Sequence, residues 1–301
     1  MLHGQRHRVR RRGAVSRSQH ITALSLACLG LLLTAGGCSP VGSVTGAAPA
    51  GTSVDIAPTE TSTAPPEQSA EETPSSPAPT PGAPRVIGRS VQGRTIMTRT
   101  FGSGKRKVLV LGGVHGNEYG THVAEEFAAR LLAEPSDVPP DVEIHVIGCL
   151  NPDGHAAGSR GNANKVDLNL NLPTENWVHD LHPATSAAQH DLNGGVTPGS
   201  EPETQALISY LGTGDFDLII SLHSAGGVID WDGPGAEKIA REMSRISGMP
   251  AQHLAVQPYA TGTLGQYAPE VLGVPVITIE LESNRLNGQL LEALLTATRG
   301  S

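Results

Sequence analysis

The sequence predicts an α/β fold, a mixed and largely parallel central sheet flanked by helices. Two observations lead there. Four short runs, Lys107 to Leu111, Val142 to Cys149, Phe216 to Leu222 and Val276 to Ile279, are nearly continuous in hydrophobicity and rich in β-branched residues, as strands buried on both faces must be. Between and after them, apolar residues recur at helical spacing. Val123, Ala124, Phe127, Ala128, Leu131 and Leu132 form the clearest stripe, and segments around Thr204 to Leu211, Ala236 to Ile246 and Leu290 to Leu295 repeat it. Strand and helix patterns that alternate in this way argue for a sheet covered by helices.

Two segments precede that core. Residues 1–37 read as a secretory signal: Arg6, Arg8, Arg10, Arg11, Arg12 and Arg17 come before the apolar stretch Ile21 to Leu33, which is too short and wrongly flanked for a stable membrane span. Ala35-Gly36-Gly37-Cys38 resembles the bacterial lipobox, in which the cysteine is lipidated and becomes the mature N-terminus; the alternative is an ordinary signal cut nearby. Either route takes the protein out of the cytoplasm, and the first anchors it to the membrane through Cys38. Residues 38–84 are Pro, Thr, Ser, Ala and Gly with almost no large apolar side chain, so they cannot offset the entropy of ordering and form a tether.

Cysteine and charge narrow the reading further. Cys28 leaves with the signal and Cys38 carries the lipid, so Cys149 alone remains and no disulfide is available to the mature chain. Its place in a predicted strand makes Cys149 a small hydrophobe rather than a nucleophile. Residues 85–301 hold 15 basic side chains against 24 acidic ones, a formal net charge of −9, which disfavours nucleic acid as a partner. These 217 residues suffice for one substantial core and are read as a single domain.

Ligands of open α/β sheets bind outside the carboxyl ends of the strands. Three polar features fall there: His115-Gly116-Asn117-Glu118 follows the first predicted strand, His223 ends the third and Glu280 ends the fourth. Two imidazoles and a carboxylate leave one tetrahedral position of Zn²⁺ open for water, whose pKa the metal lowers to about 7. His115, Glu118 and His223 are therefore the candidate ligands of one zinc. His122 and His145 lie within predicted elements, and His155, His179, His182, His190 and His253 in loops, each read as a solvated or packed histidine. Glu280 is the candidate general base, because partial burial at a strand end raises a carboxyl pKa toward neutrality. Glu282, two residues on, is the runner-up. The Gly- and Asn-rich segment from Asn151 to Asn171 offers Arg160 as a charge-assisted donor to a developing oxyanion. It also offers Asp167 as acceptor from the far nitrogen of a ligating histidine.

Taken together, these residues resemble the zinc metallocarboxypeptidase family, and within it the short branch of murein tripeptide amidases. The resemblance runs the length of the domain through Gly88-Arg89-Ser90-Val91-Gln92-Gly93-Arg94, Gly113-Val114-His115-Gly116-Asn117-Glu118, Asn151-Pro152-Asp153-Gly154, Val166-Asp167-Leu168-Asn169, Pro198-Gly199-Ser200-Glu201-Pro202-Glu203-Thr204 and Ile279-Glu280-Leu281. It implies zinc on His115, Glu118 and His223, Glu280 as base, and Arg160 polarising the scissile carbonyl. It also implies Asn169 as a ligand for a substrate carboxylate, Asp167 behind His115, and Tyr259 as a mobile side chain closing over the substrate. One departure matters: the family pairs an arginine with that asparagine to grip a terminal carboxylate, and this chain has Leu170. A lost charge-assisted contact of roughly 1.5 to 3 kcal/mol weakens binding by about one to two orders of magnitude, unless Arg285 or Lys165 substitutes.

The leading expectation is a membrane-tethered zinc amidase that cleaves the bond from γ-D-Glu to meso-diaminopimelate in a peptidoglycan-derived peptide. A metallocarboxypeptidase or N-acyl amino acid deacylase acting on another small acid is the second. A non-catalytic, zinc-binding wall lipoprotein is the third, disfavoured because a binding module needs no base beside its metal.

Overall fold

The computed structural model describes residues 80–180, 192–254 and 260–300. The expectations for the signal, Cys38, the tether up to residue 79 and Tyr259 lie outside the described residues.

Seven strands form one mixed sheet: β1 Arg85–Arg89, β2 Thr95–Gly102, β3 Arg106–Leu111, β4 Val142–Ile147, β5 Leu218–Ser224, β6 Val228–Asp232 and β7 Val276–Leu281, in the order β1-β2-β4-β3-β5-β7-β6. The central four, β4-β3-β5-β7, run parallel, and antiparallel pairs complete both edges. Helices α1 Gly120–Ala133, α2 Pro152–Ala157, α3 Pro202–Leu211, α4 Ala236–Ser247, α5 Leu264–Tyr267 and α6 Gly288–Arg299 accompany it.

Period-2 alternation in the central strands explains their unbroken hydrophobicity. Val108, Val110, Ile144, Leu218, Ile220, Ile277 and Ile279 turn to one face, where they pack against Val123, Phe127 and Leu131 of α1, Met243 of α4 and Leu294 of α6. Leu109, Leu111, Ile147, Ile219 and Val276 turn to the other, against Leu207, Tyr210 and Leu211 of α3 and Leu264 and Tyr267 of α5. Both faces are dry, so neither set of side chains can be polar.

The edges read differently from the centre. In β2, Ile96 and Thr98 are buried while Thr95 and Met97 are exposed, the mark of a strand covered on one side only. β1, β2 and β6 carry Arg85, Arg89, Arg99, Asp230 and Asp232 and so fall outside a search for apolar runs. Three sequence expectations shift by a few residues: the second strand stops at Ile147, short of Cys149, the third runs on through His223 to Ser224, and the fourth runs on through Glu280 to Leu281. His155, expected in a loop, lies in α2, which Asn151 caps by accepting from the Gly154 N–H at 2.8 Å and which Pro152 opens as its first helical residue.

Candidate active site

The carboxyl ends of β3, β5 and β7 bring the predicted residues together. β5 and β7 are hydrogen-bonded neighbours in which His223 stands directly opposite Glu280. The turn after β3 carries His115 to Glu118 and ends as α1 begins. Gly116 is required there by proximity: a Cβ at that position would collide with the backbone of Gly154 and His155 in α2. Asn151 ties the same two segments, its Nδ2 donating to the carbonyls of Val114 and Arg160.

His115, Glu118 and His223 are all buried, and their ligand atoms lie within 4.8 Å of one another. His115 Nδ1 is 2.9 Å from Glu118 Oε1 and 3.0 Å from His223 Nδ1, and His223 Nδ1 is 3.1 Å from Glu118 Oε2. On its other side, His115 Nε2 meets Asp167 Oδ1 at 2.8 Å. With the Nε2 proton given to Asp167, the lone pair of Nδ1 points at a carboxylate and a second imidazole. Acceptors crowded in this way need positive charge between them. Burial of His115 works against its own charge, yet the carboxylates of Asp167 and Glu118 outweigh it and hold the pKa up to about 9. A divalent cation meets the same need, and a carboxylate on the far nitrogen of a ligating histidine is the usual companion of such a site, so the donor set fits zinc.

Asp167 is the hub of the surroundings. It caps a single 3₁₀ turn, Leu168–Leu170, and accepts from His115 Nε2, from Arg160 Nε at 2.8 Å and from the Asn169 N–H at 2.9 Å. Burial opposes its charge, but His115 and Arg160 hold its carboxyl far below the usual range. Arg160 Nη1 also donates to Glu118 Oε1 at 2.7 Å, which leaves Nη2 without a partner among the described residues. The Ser224 N–H, at the end of β5, donates to Glu118 Oε2 at 3.0 Å and completes that carboxylate's orientation. Glu280 is half-buried, and desolvation raises its pKa above the ordinary carboxylate value, the direction a general base requires. A side chain at Gly226 would press on Glu280 at 3.0 Å, so the glycine keeps that flank open. Glu282 lies beyond β7, exposed and against Gly227.

Asn169 is half-buried beside the cluster, its Oδ1 accepting from the Leu264 N–H at 3.0 Å. Its neighbour Leu170 passes its carbonyl to the Trp177 indole at 2.9 Å and packs against Gly262. Lys165 is exposed at a positive φ of 61°, and Arg285 lines a cleft beside α1. Cys149 is half-buried, and burial pushes its thiol pKa up, which suits no nucleophile.

The sequence landmarks without an assigned role prove to be one brace. Ser90 Oγ at 2.8 Å, the Gln92 N–H at 2.9 Å and Arg94 Nη1 at 2.6 Å, all from the β1–β2 turn, donate to Asp153 of α2. The Val91 N–H donates to Glu203 of α3, and Asn162 Nδ2 bridges Glu203 and Glu201 at 3.1 and 2.7 Å. The Asn151 cap was legible as a helix-start signal, but the partners of Asp153 and Glu203 were not, being 41 to 112 residues away.

The family pattern described as zinc carboxypeptidase matches residues 83–238. The chain belongs to the zinc carboxypeptidase family. This zinc carboxypeptidase relative is 37% identical over 142 residues to murein peptide amidase A of Escherichia coli strain K12, covering 45% of this chain and 57% of that protein. It therefore spans a little over half the length of that relative. The murein peptide amidase A of Vibrio campbellii is 30% identical over 179 residues, 58% of this chain and 68% of that one. Among solved structures, the murein-tripeptide amidase of Escherichia coli O157 superposes with a TM-score of 0.59 at 27% identity, covering 73% of this chain and 93% of that one.

Proposed function

We propose that the protein is a one-zinc amidase that hydrolyses the bond from γ-D-Glu to meso-diaminopimelate in cell-wall stem peptides, outside the cytoplasm and tethered through Cys38. The observation that carries the chemistry is the meeting of the His115, Glu118 and His223 cluster with Glu280, held opposite His223. Likeness to the murein peptide amidases supports the choice of substrate. Zinc held by the three ligands would supply a Lewis acid and an acidified water. Glu280, beside those ligands, would be the group that holds a proton taken from water and returns it to the leaving amine. Arg160, through Nη2, steadies negative charge as it develops on the scissile carbonyl oxygen. Asp167 fixes the orientation of both His115 and Arg160.

Leu170 favours a second reading, a deacylase or carboxypeptidase on another small acid, because a leucine at that position cannot itself grip a terminal carboxylate. A substrate panel separates the two. The zinc-loaded protein given L-Ala-γ-D-Glu-meso-diaminopimelate is expected to release diaminopimelate. Chelation should stop the release, and so should Glu280→Gln, which keeps its zinc and loses about 10²- to 10⁴-fold in rate. No release at high enzyme concentration overturns the substrate assignment, and an active Glu280→Gln overturns the base.

A further inference from the structure

Charge is spread unevenly along the domain. Residues 85–117 hold seven basic side chains and no acid, whereas residues 118–301 hold eight basic side chains against 24 acidic ones, a formal balance of −16. A domain that is acidic as a whole therefore opens on a purely cationic segment, carried by β1, β2 and the start of β3.

The register of the β1–β2 hairpin sorts these residues by face. Val86 pairs with Met97 and Arg89 with Thr95, and an irregularity between Val86 and Gly88 brings Val86 and Arg89 to the same side as Met97 and Arg99. α3 packs on the opposite side, where a Cβ at Gly88 would meet Ala206 and where Arg85 lies over the ring of Tyr210. On the outer side Val86 is 52% and Met97 43% exposed. Among the described residues neither Arg89 nor Arg99 makes an ion pair; their guanidinium groups donate only to the carbonyls of Gly93 and Gly82. Past Phe101 the surface continues into an apolar groove of about 440 Å³, walled by Leu132, Val138, Pro139 and Pro140. Leu132, near the end of α1, is 58% exposed, and Asp137, next to Val138, is paired with Arg130 at 2.7 Å.

The chain enters the domain at the same place. Pro81 lines the groove, the Gly82 N–H donates to the Thr100 carbonyl at 2.7 Å, and the Gly82 carbonyl accepts from Arg99 at 3.0 Å. The expected tether thus leads into an apolar and cationic face. Exposed apolar side chains flanked by unpaired cations suit an anionic lipid bilayer, in which the arginines reach phosphate headgroups and the apolar side chains enter the boundary beneath them. A soluble polyanion would use the arginines and leave Val86, Met97 and Leu132 unburied.

We propose that the outer face of the β1–β2 hairpin, with the groove beside Leu132, is a docking surface that lays the domain on anionic phospholipid. Docking there leaves the catalytic cluster uncovered, because α1 starts two residues after Glu118 and runs about 20 Å before it reaches Leu132. The surface is independent of the reaction proposed above and of a lipid on Cys38, to which it adds a fixed orientation.

Sedimentation with vesicles tests it. The chain from residue 38 onward carries Cys38→Ser, so that no lipid binds on its behalf, and is mixed with phosphatidylcholine vesicles or with vesicles containing about 30% phosphatidylglycerol, which supply the negative surface potential. It is expected to sediment with the anionic vesicles and to lose that preference in about 1 M salt, where charges more than about 3 Å apart are screened. Each cation near such a surface is worth about fivefold in partition, so Arg89→Gln combined with Arg99→Gln should cost about 25-fold. Arg89→Lys combined with Arg99→Lys should keep most of the binding, which separates charge from any structural role of the guanidinium groups. Met97→Ser combined with Leu132→Ser should cost about 10-fold through lost apolar burial, with thermal melting to verify the fold of every variant. Equal partition onto the two vesicle types, no sedimentation with either, or full binding by the Arg89→Gln, Arg99→Gln protein overturns the proposal. Arginine-dependent binding that the Met97→Ser, Leu132→Ser protein retains in full also overturns it, and assigns the face to a soluble anionic polymer instead.

Discussion

Replacing Asp167 by Asn isolates how much the buried hub contributes to metal affinity. The substitution keeps the volume and removes the charge that His115 Nε2, Arg160 Nε and the Asn169 N–H share. The amide oxygen can still accept from one or two of them, so the loss is a weakening of charge-assisted bonds to neutral ones rather than a cavity. A hydrogen bond to a charged group is worth about 1.5 to 3 kcal/mol against about 1 for a neutral pair. The difference on the His115 bond alone is thus roughly 0.5 to 2 kcal/mol, or about 2- to 30-fold in an equilibrium constant at 1.4 kcal/mol per tenfold. A second effect adds to it. Arg160, deprived of its Asp167 partner, keeps its 2.7 Å bond to Glu118 and competes harder with the metal for that carboxylate. Together these give an expected 10- to 100-fold loss of zinc affinity, the usual size for such an outer partner. Competition against a chromophoric chelator measures it, with circular dichroism to verify that the fold persists. A folded Asp167→Asn protein whose zinc affinity changes by less than about twofold would refute the reasoning.

Two further outcomes follow from features away from the hub. Gly116→Ala forces a methyl against the backbone of Gly154 and His155, so it should cost about 1 to 3 kcal/mol of stability and lower zinc content together, read by thermal melting and metal analysis. Asp232 is held up to about 6 by burial and by the like charge of Asp230, so its ionised form opposes the fold. Its unfolded value is lower, and wild-type stability is therefore eroded as the pH rises from about 4 through about 6. Asp232→Asn should remove that erosion and be the more stable protein above pH 6, whereas parallel stability profiles for the two proteins would disprove it.

What the sequence made legible follows from where each signal resides. Central strands such as Arg106–Leu111 are dry on both faces, so their hydrophobicity is uninterrupted and visible in a short window. The outer strands β1, β2 and β6 are less fully buried and carry charge, which hides them from the same window. Among site residues, His115, Glu118, His223 and Glu280 announce themselves by chemistry at strand ends. The brace of Asp153, Glu201 and Glu203 could not do so, because a buried carboxylate's meaning lies in distant donors that only the folded chain supplies. Arg160 illustrates a partial success: its place at the cluster was expected, but its bonds to Asp167 and Glu118 were not.

The pairing of His223 with Glu280 across β5 and β7 constrains how this protein can diverge. The proposed ligand and the proposed base, on adjacent parallel strands, are spaced by the ladder itself, and a slip of one residue would turn either side chain to the opposite face. Innovation in such a molecule cannot retune the distance between those two groups by small steps. It must instead accumulate in the loops beside them, such as the turn that carries Asn169 and Leu170. The sheet thereby divides the chain into a part that drift cannot touch and a part free to explore new substrates.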